Sequence, residues 1–137
     1  MVSRVSAAVY GSVVPRATAW ASSSSAATPG RASQDKALAA GDVDEVVRLF
    51  EEFDRLIYSQ SGNRWINDLI ENLEGHQRRI GRLTVGIPGR LAQSAEEHTQ
   101  ICGAVGRGDA EDAEKLMRSH IASVMADQLE NFNEDSN

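Results

Sequence analysis

The sequence predicts an all-α protein, an antiparallel helical bundle of four to five helices that follows a disordered N-terminal tail. From residue 41 onward, apolar residues recur with the period of an amphipathic helix, and no segment shows the alternation of a strand. The segments are separated by short breaks, of which Gly41-Asp42 and Gly108-Asp109 are the clearest. Because short connections join antiparallel neighbours, we expect an up-and-down bundle. The 137 residues, 41% of them hydrophobic, are enough for one domain with a modest core.

The first long helix is predicted over residues 43–60, after a short helix at 33–40. Gly41 suits the left-handed residue that ends a helix, and Asp42 with Glu45 forms a capping-box pattern. Asp54 lies on the apolar side of this helix, where an unpaired carboxylate is costly. We therefore expect Asp54 to be edge-exposed, paired or coordinated. The apolar side comprises Val46, Val47, Phe50, Phe53, Leu56 and Ile57.

Three further helices are predicted, over residues 64–83, 88–106 and 110–131. Pro88 is well placed to start the second of these, and Asp109 to cap the third. The first carries His76 in its apolar stripe and ends in Arg78, Arg79 and Arg82. Cations are favourable at the C-terminal, negative end of a helix, which is one role for these arginines. The alternative is that some of them point into a cavity.

The charge is concentrated in the helical part of the chain. The net charge is -6, and residues 41–137 hold 19 of the 20 acidic but only 10 of the 14 basic residues. Since affinity for nucleic acid rests on neutralising phosphates, we expect no direct nucleic-acid binding. The single cysteine, Cys102, excludes an internal disulfide and fits a reducing, cytoplasmic location. No apolar run approaches the roughly 18 residues that a membrane span needs.

Residues 1–33 differ in composition from the rest. They are rich in Ala and Ser and contain arginines but no acidic residue. Three interpretations stay open: a disordered tail, a targeting peptide, and a truncated or frame-shifted start that does not belong to the fold. The domain is therefore predicted over residues 34–131, and residues 132–137 are predicted to be a flexible tail.

Three polar residues are predicted to face the interior from three different helices. They are Asp54, His98 and His120, and imidazole with carboxylate suits a divalent metal such as Zn, Ni or Mn. The alternative is that the histidines are hydrogen-bonded core residues. Cys102 lies one turn from His98, but a thiol within an apolar stripe is typical of packing. There is no phosphate-binding glycine loop and no CxxC pair, so we do not expect this protein to be an enzyme. A small metal-dependent enzyme would have only Asp54, His98 and His120 for its chemistry.

Several separated motifs resemble one family. SGN at 61–63, SAEEHTQI at 94–101, GDAEDAE at 108–114 and MRSHI at 117–121 are similar, in order and spacing, to the FCD domain. This is the C-terminal effector-sensing domain of FadR-type, GntR-family transcription regulators. The resemblance implies an all-helical bundle with a central ligand cavity. It also implies a winged helix-turn-helix before the domain, and nothing in residues 1–32 has that pattern.

The resemblance also implies a metal site, from which this sequence departs. In many members an aspartate, a histidine one turn later and two further histidines bind a divalent metal. His98 and His120 match the two further histidines, but Phe50 and Asp54 stand at the first two positions. Either Asp54 supplies an oxygen to a metal, or the site has lost its metal and binds an organic acid directly.

The predicted function is a ligand-sensing and dimerisation module of a GntR-type regulator. A small carboxylate, alone or on a metal, would bind between the helices and control DNA binding allosterically, with DNA contacted only through a winged-helix domain that this chain lacks. A homodimer is expected. The alternative is a truncated or decayed fragment that acts only as a structural or interaction protein. The candidate effector contacts are Asn72, His76, Arg79 and Arg82, of which the arginines could bind a carboxylate bidentately.

Overall fold

The chain folds into five helices over the residues that a computed structural model describes, 31–59 and 64–134. They are α1 (Arg31–Ala40), α2 (Val43–Ser59), α3 (Arg64–Val85), α4 (Arg90–Gly106) and α5 (Ala110–Glu134). The predicted all-α fold is confirmed, and these two ranges contain no strand. The interpretations of residues 1–30 lie outside the described residues.

The predicted domain limits, residues 34 and 131, stay a prediction. The Arg31 side chain joins α1 to α4, because its Nη1 donates to the carbonyl of Ala95 at 2.9 Å. Its Nε also pairs with Asp35 one turn on, at 2.9 Å. At the other end, α5 continues to Glu134, beyond the predicted limit of residue 131.

The break between α1 and α2 is formed by Gly41 and Asp42, as predicted. Gly41 has φ 66°, and the amide of Asp42 donates to the carbonyl of Ala37 at 3.0 Å. The Asp42 carboxylate accepts the amide of Glu45 at 3.1 Å, which caps α2. The other half of the capping box does not form. The Asp42 amide is already bonded to Ala37, and the Glu45 carboxylate pairs with Arg48.

The break between α4 and α5 repeats this arrangement. Gly108 has φ 72°, and its amide donates to the carbonyl of Val105 at 3.0 Å. The Asp109 carboxylate accepts the amide of Asp112 at 3.0 Å. Both breaks therefore combine a left-handed glycine that ends one helix with an aspartate that caps the next.

The start of α4 differs from its prediction. Pro88 does not begin the helix but lies in a turn, and α4 begins at Arg90. The reason is Gly89, whose φ of 75° lies outside the helical region. The amide of Arg90 donates to the carbonyl of Ile87 at 3.2 Å, which closes the turn.

The core lies where α2 and α5 meet α4, and the most extensive helix pair is α4 with α5. α1 packs on α2 and α4, whereas α3 contacts α2, α4 and α5. One buried cluster comprises Phe53, Ile57, Ile101, Ala104, Val105, Ala113 and Met117. A smaller one joins α1 to α2 through Ala37, Val46 and Leu49.

Large apolar side chains remain exposed on α3 and on the second half of α5. Trp65 is 84% exposed, and Leu69 and Leu73 follow it at helical spacing on α3. Met125, Leu129 and Phe132 are exposed on α5. None of the described helices is both long and apolar enough to cross a bilayer.

Candidate functional site

A cavity of about 380 Å³ lies between α2, α3, α4 and α5. This volume falls within the range of small-molecule sites. Asp54, His98 and His120, the three residues that periodicity predicts to face inward, all line it. Its apolar wall comprises Val47, Phe50, Ile70, Leu91 and Val124, and its charged residues are Glu51, Asp54, Arg55, Glu71 and Arg78.

His98 is held within an aromatic cluster. Its ring stacks on Phe53 at 4.1 Å between centroids and meets Phe50 edge-on at 4.7 Å. The residue is 2% exposed, and its Nδ1 has no hydrogen-bond partner among the described residues. Burial lowers the pKa of His98 to about 3, with smaller contributions from His120 and Arg90, so its imidazole is neutral at physiological pH.

His120 lies beside His98, with 4.9 Å between the ring centroids. Its Nδ1 is 2.5 Å from Oε2 of Glu97. Burial lowers the pKa of His120, although the hydrogen bond to Glu97 acts in the opposite direction. A neutral imidazole that donates through Nδ1 to a carboxylate has Nε2 as its acceptor. Glu97 therefore fixes both the orientation and the tautomer of His120.

Arg90 stabilises the contact between Glu97 and His120. Its side chain is fully buried and pairs with two carboxylates, Glu97 and Asp127, the latter at 2.9 Å. It also donates to Ser94 at 3.2 Å and to Ser123 at 2.8 Å. One guanidinium thus ties α4 to α5 and holds the carboxylate that orients His120.

Sequence reasoning missed this network. Arg90, Ser94 and Glu97 recur at helical spacing on α4, close to His98, which was a usable signal. Asp127 lies 37 residues from Arg90 in the chain, so the pairing itself is set only by the packing of α5 on α4.

Asp54 reaches the cavity from α2. Part of its surface is accessible through the cavity, while protein surrounds the rest. Among the described residues it has no hydrogen-bond or ion-pair partner. Burial first, and then the negative charge of Glu51, raise the pKa of Asp54 to about 7.

The predicted effector contacts lie on α3, outside the lining of the cavity. Asn72, His76, Arg79 and Arg82 are exposed, and none of them lines the cavity. The side-chain amide of Asn72 donates to the carbonyl of Asp68 at 2.8 Å. Their role in effector binding stays a prediction.

A neighbouring arginine does line the cavity. Arg78, from the same group of basic residues on α3, contributes its side chain to the lining. Its Nε is 3.6 Å from Oε1 of Glu51, a loose ion pair between α3 and α2. A ligand carboxylate within the cavity would meet Arg78 before it met Arg79 or Arg82.

Within 31–59 and 64–134 no group of three or more His, Cys, Asp or Glu side chains is arranged to hold a metal ion. Glu97 engages the Nδ1 of His120 and leaves its Nε2 as the acceptor, and the Nδ1 of His98 has no partner among these residues. A metal on Asp54, His98 and His120 stays a prediction from the sequence.

Fold and site together define a helical domain with an internal small-molecule cavity lined by two neutral imidazoles and several charged groups. The sequence model of the FCD domain matches residues 13–123 of the chain. The chain therefore belongs to the FCD domain family, the C-terminal domain of FadR-type GntR regulators, and the resemblance seen in its motifs is confirmed. Membership makes it an effector-binding module of a regulatory class. No curated protein and no solved structure matches the chain.

The family match begins at residue 13, within the segment predicted to lie outside the family. Residues 13–30 of the match are not among the described residues.

Proposed function

We propose that this domain is the ligand-sensing and dimerisation module of a GntR/FadR-type transcription regulator, which binds a small organic acid in its cavity. The observation that carries the proposal is the charged cavity between the helices of a bundle that belongs to the FCD family. The domain would control DNA binding allosterically, through a winged helix-turn-helix that makes the DNA contact.

A carboxylate would be received by the arginines of the lining. Arg78 and Arg55 come from facing helices, and a guanidinium matches a carboxylate with two parallel hydrogen bonds. The loose pair between Arg78 and Glu51 can be exchanged for a ligand carboxylate without burying an unpaired charge, because Glu51 is partly exposed. No step of this proposal passes through a metal.

Ligand binding would be transmitted by the helices that the cavity separates. The chain of contacts from His120 through Glu97 to Arg90 and Asp127 joins α4 firmly to α5. α2 contacts α4 less extensively. A ligand that bridges α2 and α3 to the α4–α5 pair would favour one arrangement of the bundle, which is a population shift.

Dimerisation is supported by the exposed apolar side chains. The α3 stripe that contains Trp65, Leu69 and Leu73 lies on the outer surface of the bundle. Exposed apolar patches of this kind mark interaction surfaces, and a second copy of the chain is the occupant that the proposal assigns to them.

The test is calorimetric titration and thermal unfolding of the protein with a panel of small organic acids, in EDTA and again with Zn²⁺, Ni²⁺ or Mn²⁺. An acid at 100 times its Kd should stabilise the fold by about 2.7 kcal/mol. Arg78→Ala should weaken binding about tenfold, because it removes a charge-assisted hydrogen bond.

Arg79→Ala is the matched control, since it makes the same change at the adjacent, exposed position. It should leave affinity unchanged. If Arg79→Ala weakens binding instead, the effector lies on the outer face of α3. If no acid binds to a cooperatively folded protein, with or without metal, the alternative of a fragment with only a structural or interaction role is favoured.

A further inference from the structure

The cavity lining carries more acidic than basic groups. Glu51, Asp54 and Glu71 line it against Arg55 and Arg78. The Arg78 side chain is already paired with Glu51. An effector with only a carboxylate would leave this surplus of negative charge unmatched.

Asp54 shares one face of α2 with two aromatic residues. Phe50, Asp54 and Tyr58 follow one another at spacings of four residues, and all three line the cavity. A carboxylate and aromatic rings in one cavity suit an ammonium group, which gains from both the charge and the rings.

The imidazoles beyond this face add acceptor capacity. Among the described residues His98 has an unpartnered Nδ1 although the residue is almost fully buried, and a bound ligand can satisfy such a group. Arg90, the nearby cation, is committed to Glu97 and Asp127.

We propose that the effector carries a protonated amino group in addition to its carboxylate, and that Asp54 receives this ammonium group on the face of α2 that it shares with Phe50 and Tyr58. The inference rests on the proposed function, because it concerns the same cavity. It narrows the effector from organic acids in general to amino-substituted acids. A divalent cation is the other positive species that Asp54 could attract, and the experiment separates the two.

The test compares matched ligands by calorimetry at pH 8 in EDTA. The probes are α- and ω-amino acids of three to six carbons, each paired with the carboxylic acid that lacks the amino group. At least one amino acid should bind about tenfold or more tightly than its unsubstituted partner. In Asp54→Asn, which keeps the side-chain shape but removes the charge, this preference should disappear.

Glu52→Gln is the matched control, because it removes the same charge from an exposed position of α2 that lies outside the lining. It should retain the preference, and circular dichroism should show both variants folded. If the unsubstituted acids bind as tightly as the amino acids, the inference fails while the proposed function survives. If Glu52→Gln removes the preference, or if only Zn²⁺ or Mn²⁺ binds in a separate titration without EDTA, Asp54 is not the ammonium site. If neither series binds and no other organic acid does, both proposals fail.

Discussion

His98 and Asp54 line the same cavity, and their pKa values shift in opposite directions on folding. The pH dependence of the free energy of unfolding should therefore show how strongly the cavity shields each side chain from water. The pKa of His98 falls from 6.5 to about 3 on folding, and that of Asp54 rises from 3.8 to about 7. Each shift links the free energy of unfolding to pH, but with opposite signs. In a variant that lacks one of the two residues, the pH dependence of stability should therefore show the contribution of the other.

For His98 the folded state resists protonation. Below pH 6.5 the unfolded chain takes up a proton at this position and the folded chain does not, so stability is lost as the pH falls. Between pH 8 and pH 5 the loss is 1.5 pH units at about 1.4 kcal/mol each, or about 2 kcal/mol. The lowered pKa of His120 acts in the same direction.

For Asp54 the folded state retains its proton. Its contribution to stability is fully present at acidic pH and is lost as the pH rises through 7. Between pH 5 and pH 8 the loss is about 2–3 kcal/mol, an upper value because the carboxyl is partly accessible. In the wild-type protein this change and that of His98 largely offset each other.

The assay is urea unfolding at pH 5 and pH 8, followed by circular dichroism. Relative to wild type, Asp54→Asn should become more stable by up to about 2–3 kcal/mol on going from pH 5 to pH 8. His98→Phe should show the opposite trend, with a relative gain of about 2 kcal/mol at pH 5. Comparing each variant with wild type cancels the other titrating groups.

Asp44→Asn provides the control, since Asp44 is an exposed carboxylate on the same helix. Its difference from wild type should be the same at both pH values. If the differences for Asp54→Asn and His98→Phe are also constant to within about 0.5 kcal/mol, or trend in the other direction, the reasoning about burial in the cavity is wrong.

Further substitutions, also measured by urea unfolding, test individual interactions that stabilise the fold. Arg90→Met should destabilise the protein by about 3–5 kcal/mol, because it leaves two carboxylates without their cation, whereas Arg48→Met at an exposed ion pair should have a much smaller effect. Gly41→Ala should cost about 1–2 kcal/mol, since φ is 66° there and an added Cβ meets no neighbour that would add a steric cost. Gly75→Ala, inside α3 and equally unobstructed, should instead stabilise by about 0.5–1 kcal/mol. Equal effects at the two glycines would contradict the assignment of the left-handed turn.

The helices and their breaks could be predicted because the signals that set them are local. Apolar periodicity identified each long helix, and Gly-Asp pairs marked two of the breaks by the same backbone geometry and the same capping hydrogen bond. The start of α4 was missed by two residues, because the left-handed conformation of Gly89 outweighs the preference of Pro88 for the first turn.

The side of a helix that carries the core residues must face the interior of the bundle. Asp54, His98 and His120 each lie on that side of their helix, which was enough to predict that they face a common interior. On α3 the same reasoning was insufficient. Arg78, Arg79 and Arg82 crowd the end of one helix, and which of them reaches the cavity depends on how α3 is rotated against α2.

The sequence by itself therefore determined the class of fold, the two Gly-Asp helix breaks and the family, because these depend on interactions between residues near each other in the chain. Only the tertiary structure decided how the site is supported and which charges face it. The hydrogen bonds that Arg90 donates to Asp127 and His120 donates to Glu97 join residues 37 and 23 positions apart. Such pairings form only when α4 and α5 pack together and exclude water from the charges between them.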